Sequence, residues 1–462
     1  LFDKESLDEV LNTLDKFEVL SGLKVNYDKT EILRIGSLKN SDAKLYTQKK
    51  ITWTNNPSVL LGISICTNQS NLIRENYEQM IIKIQNIVKL WQTRQITLLG
   101  RITIIKAFLL SQLIYRFSVL PSPLPEQMKK INEIFFDYLW SNKKHFVERN
   151  IMINGLGEGG LNMIDVSSKD ISMKCSWVKR LCDKSNTSLQ KIAKYFIPNA
   201  DGLFWSGNLK ASDALKLMSH QSLLWNNIVK AWCIYNFNSP SFIEDIMNQQ
   251  IWYNSHILID GIPFFSGPLH FKGIVCVKDL VKQDGHFMTV DEILNKYSLN
   301  RKYIMIVNSI IGAVPQQWKV LINNDHLNFD VNNIFSSNFQ KAVLNTKISK
   351  FVYHQIISKK CKSFSDKIIE KWSTDLGQGL QIDREFISSA FNLIMKATIS
   401  PKHRVFQFKL IHRTLVTNKS LYEWKLKDTN LCSFCENHVE TIFHMLWDCT
   451  NVQLLWEEVF HW

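Results

Sequence analysis

Cysteine is sparse and unframed in this 462-residue sequence: six of its nine cysteines, Cys66, Cys175, Cys182, Cys233, Cys276 and Cys361, are dispersed without regular spacing. That excludes a small disulfide-stapled scaffold and fits a reduced, intracellular protein. No apolar leader opens the chain, because Asp3, Lys4, Glu5 and Asp8 interrupt its first residues. Long uncharged apolar runs are missing as well. The most apolar stretch, 98–120, holds Arg101, Lys106 and Arg116, each costing about 3 kcal/mol at a bilayer centre, so no membrane span is expected. There is no internal repeat and no low-complexity tract. An initiator methionine is missing too: the sequence opens on Leu1, and the expectation is a fragment or processed product of a longer reading frame. Acids are in deficit, 42 against 55 Lys and Arg, for a formal charge of +13. That surplus favours a polyanionic partner, nucleic acid first.

What is present is the balance of a folded chain, 45% hydrophobic and 21% charged, at a length that suggests about three domains. A helix is expected over 6–17, with Ser6 and Glu9 as a capping box and Leu7, Val10, Leu11, Leu14 and Phe17 on one face. Gly22 ends it. Strands are expected at 23–25 and 32–35, joined by the polar turn of Asn26, Asp28, Lys29 and Thr30, and a third at 59–65 after the turn residues Asn55, Asn56 and Pro57. From 75 to about 120 the pattern is long helix, apolar on nearly every side over 96–117 and so expected to be buried. Pro121, Pro123 and Pro125 break it, and helices are expected at 126–140 and 169–181, with the Gly155, Gly157, Gly159 and Gly160 cluster as a turn between them. Residues 186–330 are less patterned, with a strand expected at 273–277 and helices at 290–297 and 302–311.

The sharpest chemical signal is Cys432, Cys435, His444 and Cys449, in the order Cys-x2-Cys-x8-His-x4-Cys. Two thiolates from one tight turn reach the same ion, and a His and Cys five residues apart close a tetrahedron, so structural Zn²⁺ is expected. His438 competes with His444, but with only two residues between it and Cys435 it would strain the shared tetrahedron. Four protein ligands leave no open position for catalysis. Charge divides sharply around this cluster. Residues 341–431 hold 17 Lys and Arg against 7 acids, whereas 432–462 hold 5 acids and no Lys or Arg. Phosphate contacts are therefore expected from Lys402, Arg404, Lys409, Arg413 and Lys419, with the knuckle bracing that segment. A second basic zone spans 74–149, with 12 Lys and Arg, among them Arg94, Arg101 and Lys106, against 6 acids, interleaved with Trp91, Tyr115 and Trp140. No complete catalytic set can be assembled; Asp366, Glu370, Asp375, Asp383 and Glu385 read as ordinary solvated acids.

Five motifs in order resemble one family, the reverse transcriptases of non-LTR retrotransposons of the long interspersed element type. The run Ser21-Gly-Leu-Lys-Val-Asn-Tyr-Asp-Lys29-Thr30 is similar to the motif following the catalytic aspartates. Trp53 to Ile63, with Leu61-Gly62-Ile63, resembles the primer-grip hairpin, and Trp91, Arg94 and Leu99-Gly100-Arg101-Ile102 through Lys106 resemble the thumb. Gly159-Gly160-Leu161-Asn162 before a Trp177-bearing helix matches the region after it. His412-Arg413, Thr417-Asn418 and the Cys432 to Cys449 cluster resemble the C-terminal zinc segment.

The resemblance implies RNA-directed DNA synthesis with two Mg²⁺ ions held by palm aspartates. Those aspartates would lie upstream of Leu1, and the endonuclease is not in this sequence. Mg²⁺ and target DNA are thus expected only of the intact enzyme, where Lys29 would be the general acid toward pyrophosphate. The chain itself is expected to bind RNA or an RNA–DNA duplex without polymerising, in cytoplasm and nucleus. The alternative is a stand-alone nucleic-acid-binding or interaction protein derived from an inactivated element. The expected fold is α+β and predominantly helical: a palm remnant with short strands (1–70), a helical thumb (71–185), a mixed connecting region (186–338), a basic helical segment (339–431) and the zinc knuckle (432–462).

Overall fold

Helices carry the fold in the computed structural model, which describes residues 4–35, 51–54, 58–66, 68–141, 145–183, 187–197, 202–324, 338–360, 364, 366–376 and 382–462. The first, α1 (Lys4–Ser21), buries Leu7 and Leu11 and stops at Gly22, whose φ of +70° suits glycine. It starts before Ser6, which therefore lies in the first turn rather than at the cap. Residues 23–25 form no strand. Asn26 instead draws the chain into a 3₁₀ turn, Tyr27–Lys29, by accepting from the Lys29 N–H. The first strand, β1 (Glu31–Leu33), pairs in parallel with β2 (Thr52–Thr54), with Ile32 opposite Trp53. Where one strand was expected over 59–65, the chain makes a hairpin of β3 (Ser58–Leu60) and β4 (Ile63–Ile65). Leu61 and Gly62 both take positive φ, +50° and +77°, the geometry of a two-residue turn that matches strand twist. The expected turn residues Asn55, Asn56 and Pro57 lie outside the described residues.

The expected long helix is two. After α2 (Gln69–Gln92) the chain breaks, and Thr97 caps α3 (Leu98–Ile104), which continues through a π turn (Ile105–Leu109) into α4 (Leu110–Val119). By length and apolarity the 98–119 rod could cross a membrane. In this fold Leu98, Ile102, Ile105, Leu109, Leu113 and Phe117 are buried, and the rod lies against α2, α5 (Pro125–Trp140) and α7 (Val166–Cys182). The proline run leaves carbonyls at the end of α4 without helical partners. Lys174 of α7, fully buried, supplies them: its Nζ donates to Phe117 O at 2.5 Å and Leu120 O at 2.6 Å and pairs with Asp170 at 3.4 Å. Ser122 Oγ donates to the same carboxylate at 2.6 Å. Burial pushes the Lys174 ammonium down and the Asp170 carboxyl up, against their mutual attraction.

Two hydrophobic cores result, and they do not follow chain order. Between α5 and α7 lies the short α6 (Arg149–Ile153) with the glycine turn. One core joins residues between Ile63 and Val166 to residues between Phe364 and Ile442; the other is built from residues between Cys175 and Ile356. Helix α7 belongs to both, with Val166 in the first and Cys175, Val178 and Leu181 in the second. The second core is assembled by α8 (Thr187–Phe196), α9 (Gly202–Ser206), α10 (Ala211–Lys216), α11 (Leu223–Asn236), α12 (Ile243–Met247) and the β5–β6 hairpin (Leu258–Ile259, Ile262–Pro263). Helices α13 (Gly267–Phe271), α14 (Val290–Lys296), α15 (Ile304–Ala313), α16 (Gln316–Asn324), α17 (Asn338–Leu344) and α18 (Ile348–Lys360) complete it. The strand expected at 273–277 is only a bridge between Cys276 and Gln250. The chain then returns to the first core through α19 (Asp366–Leu376), α20 (Arg384–Ala397) and α21 (Pro401–Ile411), and ends with α22 (Asn418–Glu423), the Cys/His knuckle and α23 (Thr450–His461). The predominantly helical α+β class is as expected.

Candidate metal centre and its basic neighbour

Each half of the knuckle is shaped by its backbone. A bridge between Leu431 and Val439 closes the first loop, and the Cys432 N–H donates to His438 O at 2.8 Å. Glu436, at φ +56°, turns the chain so that its N–H reaches Cys432 O at 2.9 Å. The Phe434 N–H donates to Cys432 Sγ at 3.4 Å. In the second half the His444–Asp448 segment winds as a π turn, stopped by the Cys449 N–H donating to His444 O at 3.0 Å. The wider turn, not an ordinary helical one, is what carries His444 and Cys449 together.

The four donor atoms lie within 4.8 Å of one another. Cys432 Sγ stands 3.9 Å from Cys449 Sγ, and Cys435 Sγ 3.3 Å from His444 Nε2. A tetrahedron with zinc–sulfur bonds of about 2.3 Å puts its sulfurs about 3.8 Å apart. The donor set and spacing thus fit Zn²⁺, and all four positions are filled by protein. Such an ion would act structurally, tying together two short loops. The Asn437 N–H, then the His438 N–H and the His438 and His444 rings, pull the Cys435 thiol down to about 5 against the opposing effect of burial. Burial is the main cause that pushes Cys432 up. His438 lies beside the set, its ring 5.5 Å from that of His444, while His444 takes the ligand position.

A buried carboxylate ties the knuckle to the segment before it. Glu440, almost fully buried, accepts the Asn418 backbone N–H at 2.7 Å, its Nδ2 at 3.0 Å and the Ser433 N–H at 2.9 Å. Asn418 also donates to Leu431 O at 2.7 Å. Thr417 caps the helix that Asn418 begins, which fixes the amide at the knuckle. Neither residue's role could be read in advance, because a carboxylate–amide clasp has no periodicity. Thr417-Asn418 stood out only through the resemblance.

The helices preceding the clasp are docked by His412. Its Nε2 donates to Gly159 O at 2.7 Å, and Phe391 and Phe408 enclose the ring. Burial pushes the imidazole down to about 4, outweighing that bond. The glycine turn is shaped for this contact. A Cβ on Gly160 would meet the backbone oxygens of Asn154 and Ile151 at 2.2 and 2.3 Å, and one on Gly159, at φ +79°, would press on Phe364 and His412. The expected connecting turn is also a docking surface.

The basic residues divide by type. Arg101 Nε donates to Ile96 O and its Nη1 to Tyr138 O and Ser141 Oγ, closing the end of α5. Arg404 donates to Thr398 O at 2.7 Å and Met395 O at 3.0 Å, closing α20. Arg413 pairs with Asp375 and lies 4.7 Å over the Trp372 ring, joining α19 to α21. These three arginines hold helix ends, where carbonyls and the dipole favour a cation. Lys106, Lys402 and Lys419 are exposed, Lys409 half-buried, and Arg94, also exposed, lies 4.6 Å over Trp91. Helix α21 lies against α3, so the two basic zones, far apart in sequence, meet on one body.

Lys29 is exposed on its 3₁₀ turn, braced by Tyr27 Oη donating to Asp15 at 3.0 Å. Of the acids of 366–385, Asp366 pairs with Arg384, Asp375 with Arg413, and Asp383 caps α20 by accepting from the Phe386 N–H at 2.7 Å. Among the described residues, the converging set of possible metal donors is the Cys/His cluster alone. In a comparison with protein families, residues 380–456 match the family described as zinc-binding in reverse transcriptase. The matched span runs from the cap of α20 through the His412 dock, the Asn418–Glu440 clasp and all four cluster residues. The C-terminal part of this chain is therefore a reverse-transcriptase-associated zinc-binding segment.

Proposed function

We propose that this chain is the thumb, connecting region and zinc-braced tail of a non-LTR retrotransposon reverse transcriptase, and that it grips an RNA template or RNA–DNA duplex. The observation that carries this reading is the return of the family-matched segment onto the thumb-like helices. It lays α21, with Lys402 and Lys409, against α3, which follows the turn that holds Arg94. A duplex needs phosphate contacts spread over such a composite face, and flexible lysines at its surface serve as point charges for them. The acidic knuckle stays off the phosphates and holds Lys419 and its helix in place through Glu440. DNA synthesis belongs to a palm with a carboxylate pair and Mg²⁺, and no adjacent Asp-Asp pair occurs in this sequence. Lys29, exposed on its turn, would act as general acid only beside such a palm.

The test is binding of a fluorescein-labelled RNA–DNA hybrid across a salt series. Reversal of Lys402, Lys409 and Lys419 to Glu should lower the slope of log affinity against log salt by about 2 to 3, close to one per lost phosphate contact. An unchanged slope removes the segment from the interface.

A further inference from the structure

A ladder of stacked side chains crosses the second core and emerges at its surface. Arg180 lies 5.3 Å over Trp177; Trp177 meets Trp225 edge-on at 6.2 Å; Trp225 stacks on Phe196 at 5.6 Å; and Phe196 meets Tyr195 edge-on at 5.1 Å. The last rung is Tyr195 on His220, 4.1 Å apart with ring planes inclined by 10°. The inner rungs are ordinary core, since Trp225 is buried. The outer rung is not: Tyr195 is 59% exposed and His220 is exposed. The Ser219 N–H donates to Phe196 O at 2.9 Å and fixes the His220 loop to the end of α8. The flat pair is thus held in place before any ligand arrives. Lys191 precedes Tyr195 by one helical turn and shares its face, and Lys194 adjoins it, both exposed.

We propose that the Tyr195–His220 platform, flanked by Lys191 and Lys194, is a binding site for single-stranded nucleic acid. An unpaired base stacks on the platform, and the lysines take the adjoining phosphates. A duplex cannot use it, because its bases are already stacked on each other, whereas every unpaired base offers a π face. The site rests on the nucleic-acid reading of the chain but uses other residues, in the other core. The connecting region would thereby hold template that has not yet entered the duplex.

The experiment compares a fluorescein-labelled oligouridylate with the RNA–DNA hybrid on the full chain. Y195A should weaken oligouridylate binding about tenfold, within the range for losing one base stack, and leave hybrid binding unchanged. Y195F should bind oligouridylate like the parent, because the ring and not the hydroxyl makes the contact. If Y195A melts below the parent, Tyr195→Leu, which keeps apolar contact with Phe196, should show the same tenfold loss. Parental affinity in the non-aromatic variants overturns the site. A chain that binds hybrid but not oligouridylate overturns this site and leaves the proposed function standing; one that binds neither overturns both.

Discussion

The knuckle and the helices it follows are neighbours held by different physics. In 382–412 the helices are anchored by side chains in a shared core: Phe391 and Phe408 are fully buried, and His412 reaches across to Gly159. In the knuckle, apolar burial is confined to Cys432, Ile442 and Cys449, and α23 buries no residue. Leu454, Leu455, Val459 and Phe460 are more than half exposed. A segment this short cannot offset its conformational entropy with so little buried area. Coordination has to supply the difference, so a zinc motif needs few apolar residues but all four donors.

The largest expected effect separates the two regions. Stripping metal with a chelator, or replacing Cys449 with Ser, should abolish hydrogen-exchange protection of the 430–449 amides, since binding energy at structural zinc sites is of order 10 kcal/mol. Protection of α20 and α21 should persist, and its simultaneous loss would show that the two regions are one cooperative unit. The reverse experiment attacks the core-held body. Lys174→Met leaves Asp170 buried and unpaired and the Phe117 and Leu120 carbonyls unserved, and should cost about 3 to 5 kcal/mol in denaturant unfolding. Zinc content per chain should not change; a fall would tie the knuckle to the body.

The smallest effect sharpens the boundary between them. The buried His412 ring titrates near 4, against about 6.5 when unfolded. The unfolded chain therefore takes up this proton first. His412 contributes stability fully above pH 6.5 and loses it progressively as pH falls to about 4, about 3 kcal/mol in all. With zinc content matched, the His412→Asn variant should show a shallower decline across that window, and parallel curves would mean that the imidazole is already solvated.

Legibility followed the range of the interactions. The helices over 126–140, 169–181 and 290–297 were readable because amphipathic periodicity is local. The 23–25 strand was not realised: three apolar residues carry no information about a pairing partner, and Asn26 offered the backbone a side-chain acceptor instead. The break at 93–97 is a short polar run, Thr-Arg-Gln-Ile-Thr, between two helical patterns, and Thr97 as a cap was the available cue. In the site, the Cys/His spacing was legible because all four donors lie within eighteen residues. The Glu440 clasp and the His412 dock were not, being single polar pairs, the second spanning 253 positions.

The sequence by itself determined the helical class, the Cys/His cluster, the sign of the charge and its uneven distribution, since each depends on residue type and short spacing. Only the tertiary structure decided how the basic residues are used. It turned Arg101, Arg404 and Arg413 inward to helix ends, where planar guanidinium groups satisfy carbonyls, and left lysines at the surface. It also folded α19, α20 and α21 onto the helices α2 to α5, because the apolar faces of those distant segments bury each other. That return, which no local pattern encodes, brings two basic zones onto one body.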